Sequence, residues 1–433
     1  MTPKQTSGIG RRTILGALAA GTMLTPFGFG AAHAAEIEGE LVMINWLAGA
    51  QGEMMEALQA DFVEKNPEIT FRNIVPTSSG DTRGGIRTVL LGGEQADLLI
   101  NTWPAFRQEL LDAGMILPVD EAWEENNWSD LLADSWKDLS TIDGKNYGVT
   151  YTFGDRSGIW YNTGTMEKSG ITPPETWDDF IAGFAKMNEA GITPVSIPAK
   201  IWAHAEWFES TLLRVAGADF MSKLARHEVP WTSPEVVTTF EKLAEMLKAD
   251  CCLDPNTMLA SIWRDSADTT IKTGETGYML IGMWLNTRAK QEYQLEPGKD
   301  FDIVQFPAMG MGYDNQSMVD AKEFNVLSSV KNIDAANAFM GYMLTADAAA
   351  IMADYGLASP SSAVDPSIYD PVIQRAVNEV VSAEKVHFVL GDLLPGDLVH
   401  EYRIQIQKFL QDPSDETIAA AVQKIEDVAN SAY

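Results

Sequence analysis

From residue 36 onward, apolar positions fall into two alternating rhythms. Leu41-Val42-Met43-Ile44 is an unbroken apolar run of strand length that stops at Asn45-Trp46. A glycine-containing loop at 48–52 follows, and then Met54, Met55, Leu58 and Phe62 recur at helical spacing until Asn66-Pro67 ends the helix. Residues 71–75 predict a second strand, 82–91 a helix ended by Gly92-Gly93, 97–100 a third strand, and 104–113 a third helix closed by Gly114. Strands and helices alternating with short connections predict a parallel, doubly wound α/β sheet. Ligands of such sheets sit beyond the carboxyl ends of the strands, here Asn45-Trp46, 77–81 and Asn101-Thr102-Trp103.

Extended runs continue at 148–153 and 159–162. Helices then dominate, at 176–188, 203–216 and 233–248, with strands returning at 277–281 and 301–306. Asn332 opens an amphipathic helix bearing Ala335, Ala336, Phe339, Met340 and Met343, and another runs to Gly356. The segment after Asp370 reads as helical, with Ile418, Val422, Ile425 and Val428 as one stripe. Repeats, low-complexity tracts and long flexible linkers are absent from the sequence, so any two halves must be joined by short crossings.

Length allows two or three domains: the chain has 433 residues, 45% hydrophobic and 21% charged. A formal net charge of −30 makes nucleic acid and anionic membranes poor partners. The first residues change the count. Lys4, Arg11 and Arg12 precede any acidic residue, 13–20 are apolar and small, and Ala32-His33-Ala34 reads as a cleavage site. Residues 1–34 are therefore expected to be an export signal, and Arg11-Arg12 before Thr13-Ile14-Leu15 suits the twin-arginine type, pointing to the periplasm. No later run reaches the roughly 20 apolar residues of a membrane span. Cys251 and Cys252 are adjacent, which disfavours a structural disulfide between them, and two ordinary thiols are expected.

Six segments then line up in order. They are Glu53 to Pro67; Gln95 to Ile100 leading to Leu110 through Asp120; Trp160-Tyr161-Asn162 before Ser169 through Phe180; Gly274 to Trp284 (GETGYMLIGMW); Ser329 to Asp347; and Gly356 to Pro360. Together they resemble the extracellular solute-binding proteins of carbohydrate ABC importers, the maltose-binding-like cluster. The resemblance covers nearly the whole chain after the signal. It implies two doubly wound α/β lobes joined by a hinge, one of 36–150 with 306–357 and the other of 151–305 with 358–433. It further implies a sugar held in the cleft between them, delivery to an importer permease, and a monomer without cofactor or metal.

A sugar needs aromatic faces for its C–H patches and planar polar groups for its hydroxyls. Trp46 and Trp103 follow buried strands, Trp202 and His204 open a helix, and Trp284 ends a segment where the resemblance places a stacking aromatic. Trp207, Phe208 and Leu212 read as core. Gln51 and Glu53 stand at the start of the first helix, and Asn101 and Thr102 stand where relatives often carry an acidic ligand contact. Asp81, Asp155, Arg156, Asp320 and Glu323, with Lys322 beside the last two, complete the candidates. Arg83, Arg87 and Arg156 raise the alternative of an anionic sugar derivative, although Arg87 is expected on an exposed helix face.

A secreted glycan hydrolase is the rival class, but it would need two carboxylates at a set separation, and among 61 acidic residues such pairs carry no information. Zinc-protease, serine-hydrolase and nucleotide-loop motifs are absent from the sequence, and the five histidines show no metal-ligand spacing. The expected reading is a binding protein and not an enzyme.

Overall fold

The structure, a computed structural model, describes residues 37–77 and 82–433. The export-signal reading and Asp81 lie outside the described residues. Strand β1 (Gly39–Ile44) leads to helix α1 (Ala50–Lys65), β2 (Ile69–Ile74), α2 (Thr82–Leu91), β3 (Leu98–Asn101) and α3 (Pro104–Asp112). The chain continues through β4 (Val149–Asp155), β5 (Gly158–Asn162), α4 (Trp177–Glu189), β6 (Thr193–Ser196), α5 (Ala205–Ala225) and α6 (Pro234–Leu247). Next come β7 (Thr276–Leu280), α7 (Trp284–Gln291), β8 (Phe301–Gln305), β9 (Gln316–Val326), α8 (Ile333–Tyr342) and α9 (Ala346–Asp354). The C-terminal part holds α10 (Pro371–Ser382), β10 (Lys385–Phe388), α11 (Gly396–Gln411) and α12 (Asp415–Ala432). Among the described residues, no helix is long and apolar enough to cross a membrane.

Two main sheets result. The first runs β10-β9-β3-β1-β2, with β4 also paired to β9. As the alternating pattern predicts, β1 is parallel to β2 and β3, with Met43 opposite Leu98. The strand β9 departs from it, pairing antiparallel with β3 (Glu323 opposite Asn101) and with β4 (Val319 opposite Asp155). The second sheet, β8-β5-β7-β6, is antiparallel except for β6 with β7. The antiparallel strands are those entering directly from the other sheet, without the crossover helix that a parallel connection needs.

The passage between sheets occurs at Arg156-Ser157, and the return lies between β8 and β9. Asp155 is sealed there, accepting from the Ser157 hydroxyl at 2.7 Å and the Ser157 N–H at 2.9 Å. The buried Arg214 of α5 donates to the carbonyls of Phe306 and Gln316 on the return. α5 outruns its expected end at residue 216 because it bends at Gly217, whose φ is 78°. A Cβ there would meet the Tyr313 ring at 2.4 Å, so glycine is required by both backbone and space.

The core comprises a large cluster under the first sheet, a second around α5, α6, α11 and α12, and a small third one at Ile86, Leu99 and Phe106. One expectation is corrected. Cys251 and Cys252 are joined in a disulfide. The pair leaves α6 in a segment pinned to β6, where the Val195 N–H donates to the Cys251 carbonyl at 2.7 Å, and that fixed backbone holds the two residues in bonding position.

Candidate functional site

A cavity of about 650 Å³ opens where the ends of the two sheets meet. From the first sheet come Trp46 after β1, Thr102 and Trp103 after β3, Gln51 in the first turn of α1, and Arg83 on α2. From the second come Trp284 at the start of α7 and Trp202 just before α5. Arg156 enters at the crossing, and Asp320 and Lys322 alternate on β9 toward the same space.

Trp284 occupies the centre of an aromatic wall. Its ring lies 6.0 Å from that of Trp202 and 6.3 Å from that of Trp263, both edge-on. The Arg156 guanidinium sits 4.7 Å from the Trp284 centroid and 5.7 Å from that of Trp202. This packing depends on Gly282, where a Cβ would meet the Trp284 ring at 2.2 Å and the Arg156 stem at 2.6 Å. Across the cavity, Trp46 and Trp103 lie 5.1 Å apart, and the Trp46 indole N–H donates to the Ile100 carbonyl at 2.7 Å.

Several polar atoms on these walls are sealed from solvent without a partner. They include donors (Gln51 Nε2, Arg156 Nε, Arg403 Nε), acceptors (Glu206 Oε2, Glu209 Oε2, Asp320 Oδ1) and the Thr102 hydroxyl. Unpaired buried polar groups are costly, so their gathering at one cavity marks a place where a ligand completes the bonding.

Eight of the fourteen candidate residues line the cavity: Trp46, Gln51, Thr102, Trp103, Arg156, Trp202, Trp284 and Asp320. Arg87 also lines it while staying partly exposed to solvent, and is forked onto Glu109. Of the remaining six, Asp81 is undescribed. Glu53 is solvent-exposed and does not line the cavity. Asn101 and Glu323 are drawn into a buried network away from it. There Arg107, Asn325 and Asn101 all donate to the Glu323 carboxylate, at 2.7, 2.8 and 3.3 Å. Alternation on β9 explains the split, since Asp320 and Lys322 share one face and Glu323 and Asn325 the other. Asp155 seals the crossing. His204 is buried, its Nε2 3.0 Å from the Arg403 carbonyl, and burial lowers its pKa to about 4, so it stays neutral.

Sequence reasoning missed Trp263, Glu206, Glu209, Asp392 and Arg403, all on the cavity wall. Arg156 ion-pairs with Glu206 and stands 4.0 Å from Asp392. Burial pushes the Glu206 carboxyl up to about 8, against the pull of Arg156, and Glu209 up to about 7, with Asp392 adding to the rise. Burial also raises Asp392. A signal for two of them existed. Glu206 and Glu209 stand three apart on a helix among Trp207, Phe208, Leu212 and Leu213, and carboxylates set in such an apolar stretch require a polar feature to face. Asp392 and Arg403 come from a distant segment and carried no such mark.

A polar, tryptophan-walled cleft at the meeting point of two α/β halves defines a two-lobed solute receptor. Residues 48–350 match the model of the bacterial extracellular solute-binding protein family, and the chain belongs to that family. A probable sugar-binding periplasmic protein of Mesorhizobium japonicum is 23% identical over 94% of this chain and 98% of its own. An osmoprotective compounds-binding protein of Synechocystis is 20% identical, covering 82% of this chain and 85% of its own. Among solved structures, a solute receptor described as preferring β-D-galactopyranose superposes with a TM-score of 0.81. It is 22% identical, with 91% of this chain and 99% of that one covered. A maltose-bound Thermotoga maritima protein gives 0.74 at 17% identity, covering 90% of this chain and 99% of that one.

Proposed function

We propose that this protein captures a sugar or sugar derivative in the cleft and delivers it to the membrane permease of an ABC importer. The observation that carries the reading is the tryptophan wall of Trp202, Trp263 and Trp284 beside buried, unpaired donors and acceptors together. A hydroxyl both donates and accepts, so a polyhydroxylated ring can satisfy both kinds while its C–H face stacks on indole. The names of the relatives from Mesorhizobium japonicum and Brucella melitensis, both probable sugar-binding periplasmic proteins, support it.

In this reading the lobes are 37–150 with 306–357 and 151–305 with 358–433, β10 of the second reaching over to pair with β9 in the first sheet. Sugar enters the open cleft, and contacts with both lobes favour closure to the extent that the ligand binds the closed form better. The closed monomer then meets the permease. Export by the twin-arginine route and release of the sugar unchanged belong to the same reading.

A thermal-shift screen of the protein against mono- and disaccharides tests it. A ligand at a hundred times its dissociation constant adds about 2.7 kcal/mol to stability, which a melt resolves. Sugar recovered unaltered after incubation supports a receptor, whereas release of shorter products would indicate the hydrolase.

A further inference from the structure

The cleft holds more positive charge than a neutral ring requires, in a protein of net charge −30. Arg83, Arg156, Arg403 and Lys322 line it. Arg403 is half-buried, and a cation drawn partly out of water favours a nearby counter-charge. Four carboxylates share the wall, yet each has a partner other than Arg403. Arg156 ion-pairs with Glu206 and stands beside Asp392, Lys322 donates to Asp320 at 2.8 Å, and the Tyr402 hydroxyl and Gly391 N–H donate to Glu209 at 3.1 and 3.2 Å. Among the described residues, no carboxylate lies within ion-pair distance of the Arg403 guanidinium, and its Nε has no hydrogen-bond partner. Burial and then the charge of Arg83 weaken the hold of Arg403 on its proton, against the opposing pull of Glu209 and Asp392, neither of which reaches ion-pair distance. Two guanidinium groups thus face one cavity from different walls, one on α2 beside the first sheet and one on α11 in the second core.

We propose that the sugar carries an anionic oxygen group of the carboxylate, sulfonate or phosphate class, seated between Arg403 and Arg83. The inference rests on the sugar-receptor reading. Guanidinium forks match such groups bidentately, and the buried setting strengthens the attraction. An anion bridging α2 and α11 bonds to both sides of the cleft at once. It therefore adds to closure, because those contacts are complete only in the closed form.

The test is titration calorimetry with matched probes: glucose against glucuronic acid, glucose 6-phosphate and 6-sulfonated glucose, and the galactose series likewise. At least one anionic member is expected to bind about tenfold or more tighter than its neutral parent, with the advantage shrinking at high ionic strength. Which group wins separates carboxylate, phosphate and sulfonate. Arg403→Gln is expected to abolish the preference, bringing the affinity of the anionic probe down to that of its neutral parent in the same variant, and Arg403→Lys to retain part of it, with melts confirming that both fold. Neutral parents binding as tightly as every anionic form would overturn the inference and leave the sugar receptor standing. A preference unchanged in Arg403→Gln and Arg83→Gln would also overturn it. Binding of no sugar of either kind would remove the receptor reading and this inference with it.

Discussion

The guanidinium of Arg156 lies against the face of Trp284, 4.7 Å from its centroid, while ion-pairing with Glu206 beneath. The ring is thereby held flat against a fixed charge, and its partial exposure to the cavity leaves an edge and face for ligand. Trp284→Ala is expected to weaken binding of the sugar that raises the melt by about tenfold or more, while Trp284→Phe loses less. Calorimetry on folded variants decides it, and unchanged affinity in Trp284→Ala would remove the residue from the site.

Gly282 offers an independent route to the same pair. An added methyl must displace either the Trp284 ring or the Arg156 stem, which it would meet at 2.2 and 2.6 Å. Gly282→Ala is expected to cost as much affinity as Trp284→Ala although it removes no atom from the cleft. If affinity in Gly282→Ala equals wild type, the aromatic wall is not rigidly placed.

The Glu323 network predicts the opposite division. Glu323→Ala leaves Arg107, Asn101 and Asn325 facing a buried void, and removing one partner of a buried pair costs about 3–5 kcal/mol. The melt should fall by several degrees with ligand affinity retained in the folded fraction. A stable variant that has lost binding would return Glu323 to the cleft.

Stability of the ligand-free protein should fall as pH rises from about 6.5 to about 8. Glu206 and Glu209 ordinarily titrate near 4.5, and burial raises them to about 8 and about 7, so the folded chain binds more protons than the unfolded one across that window. More protons bound in the folded state means stability lost with rising pH. Below 6.5 the buried His204 and His387, both lowered to about 4, act in the opposite sense. They cost stability as pH falls, because the unfolded chain takes up their protons first. Between about 4.5 and 6.5 the two carboxyls and the two histidines oppose each other, so a series of melts should show a plateau there and a decline above it, which Glu206→Gln should flatten. A decline equally steep in Glu206→Gln would assign it to other groups.

Sequence alone determined what depends on local pattern. The run 41–44, the spacing of Met54 to Phe62 and the exact helix at 82–91 were readable because burial on one face leaves a period in the chain. Strand-end tryptophans were legible for the same reason, since a doubly wound sheet presents its strand ends to ligand. Tertiary structure decided the rest. The strand β9 carries Asp320, Lys322, Glu323 and Asn325, which break any apolar rhythm, yet every residue in it is buried because polar partners from distant segments meet it on both faces. The same holds for β10, hidden among helical segments, and for Arg403, which reaches the cleft wall from a C-terminal helix. Charge compensation acts between residues far apart in sequence, and no spacing along a chain records which arginine will find its carboxylate and which will face a cavity without one.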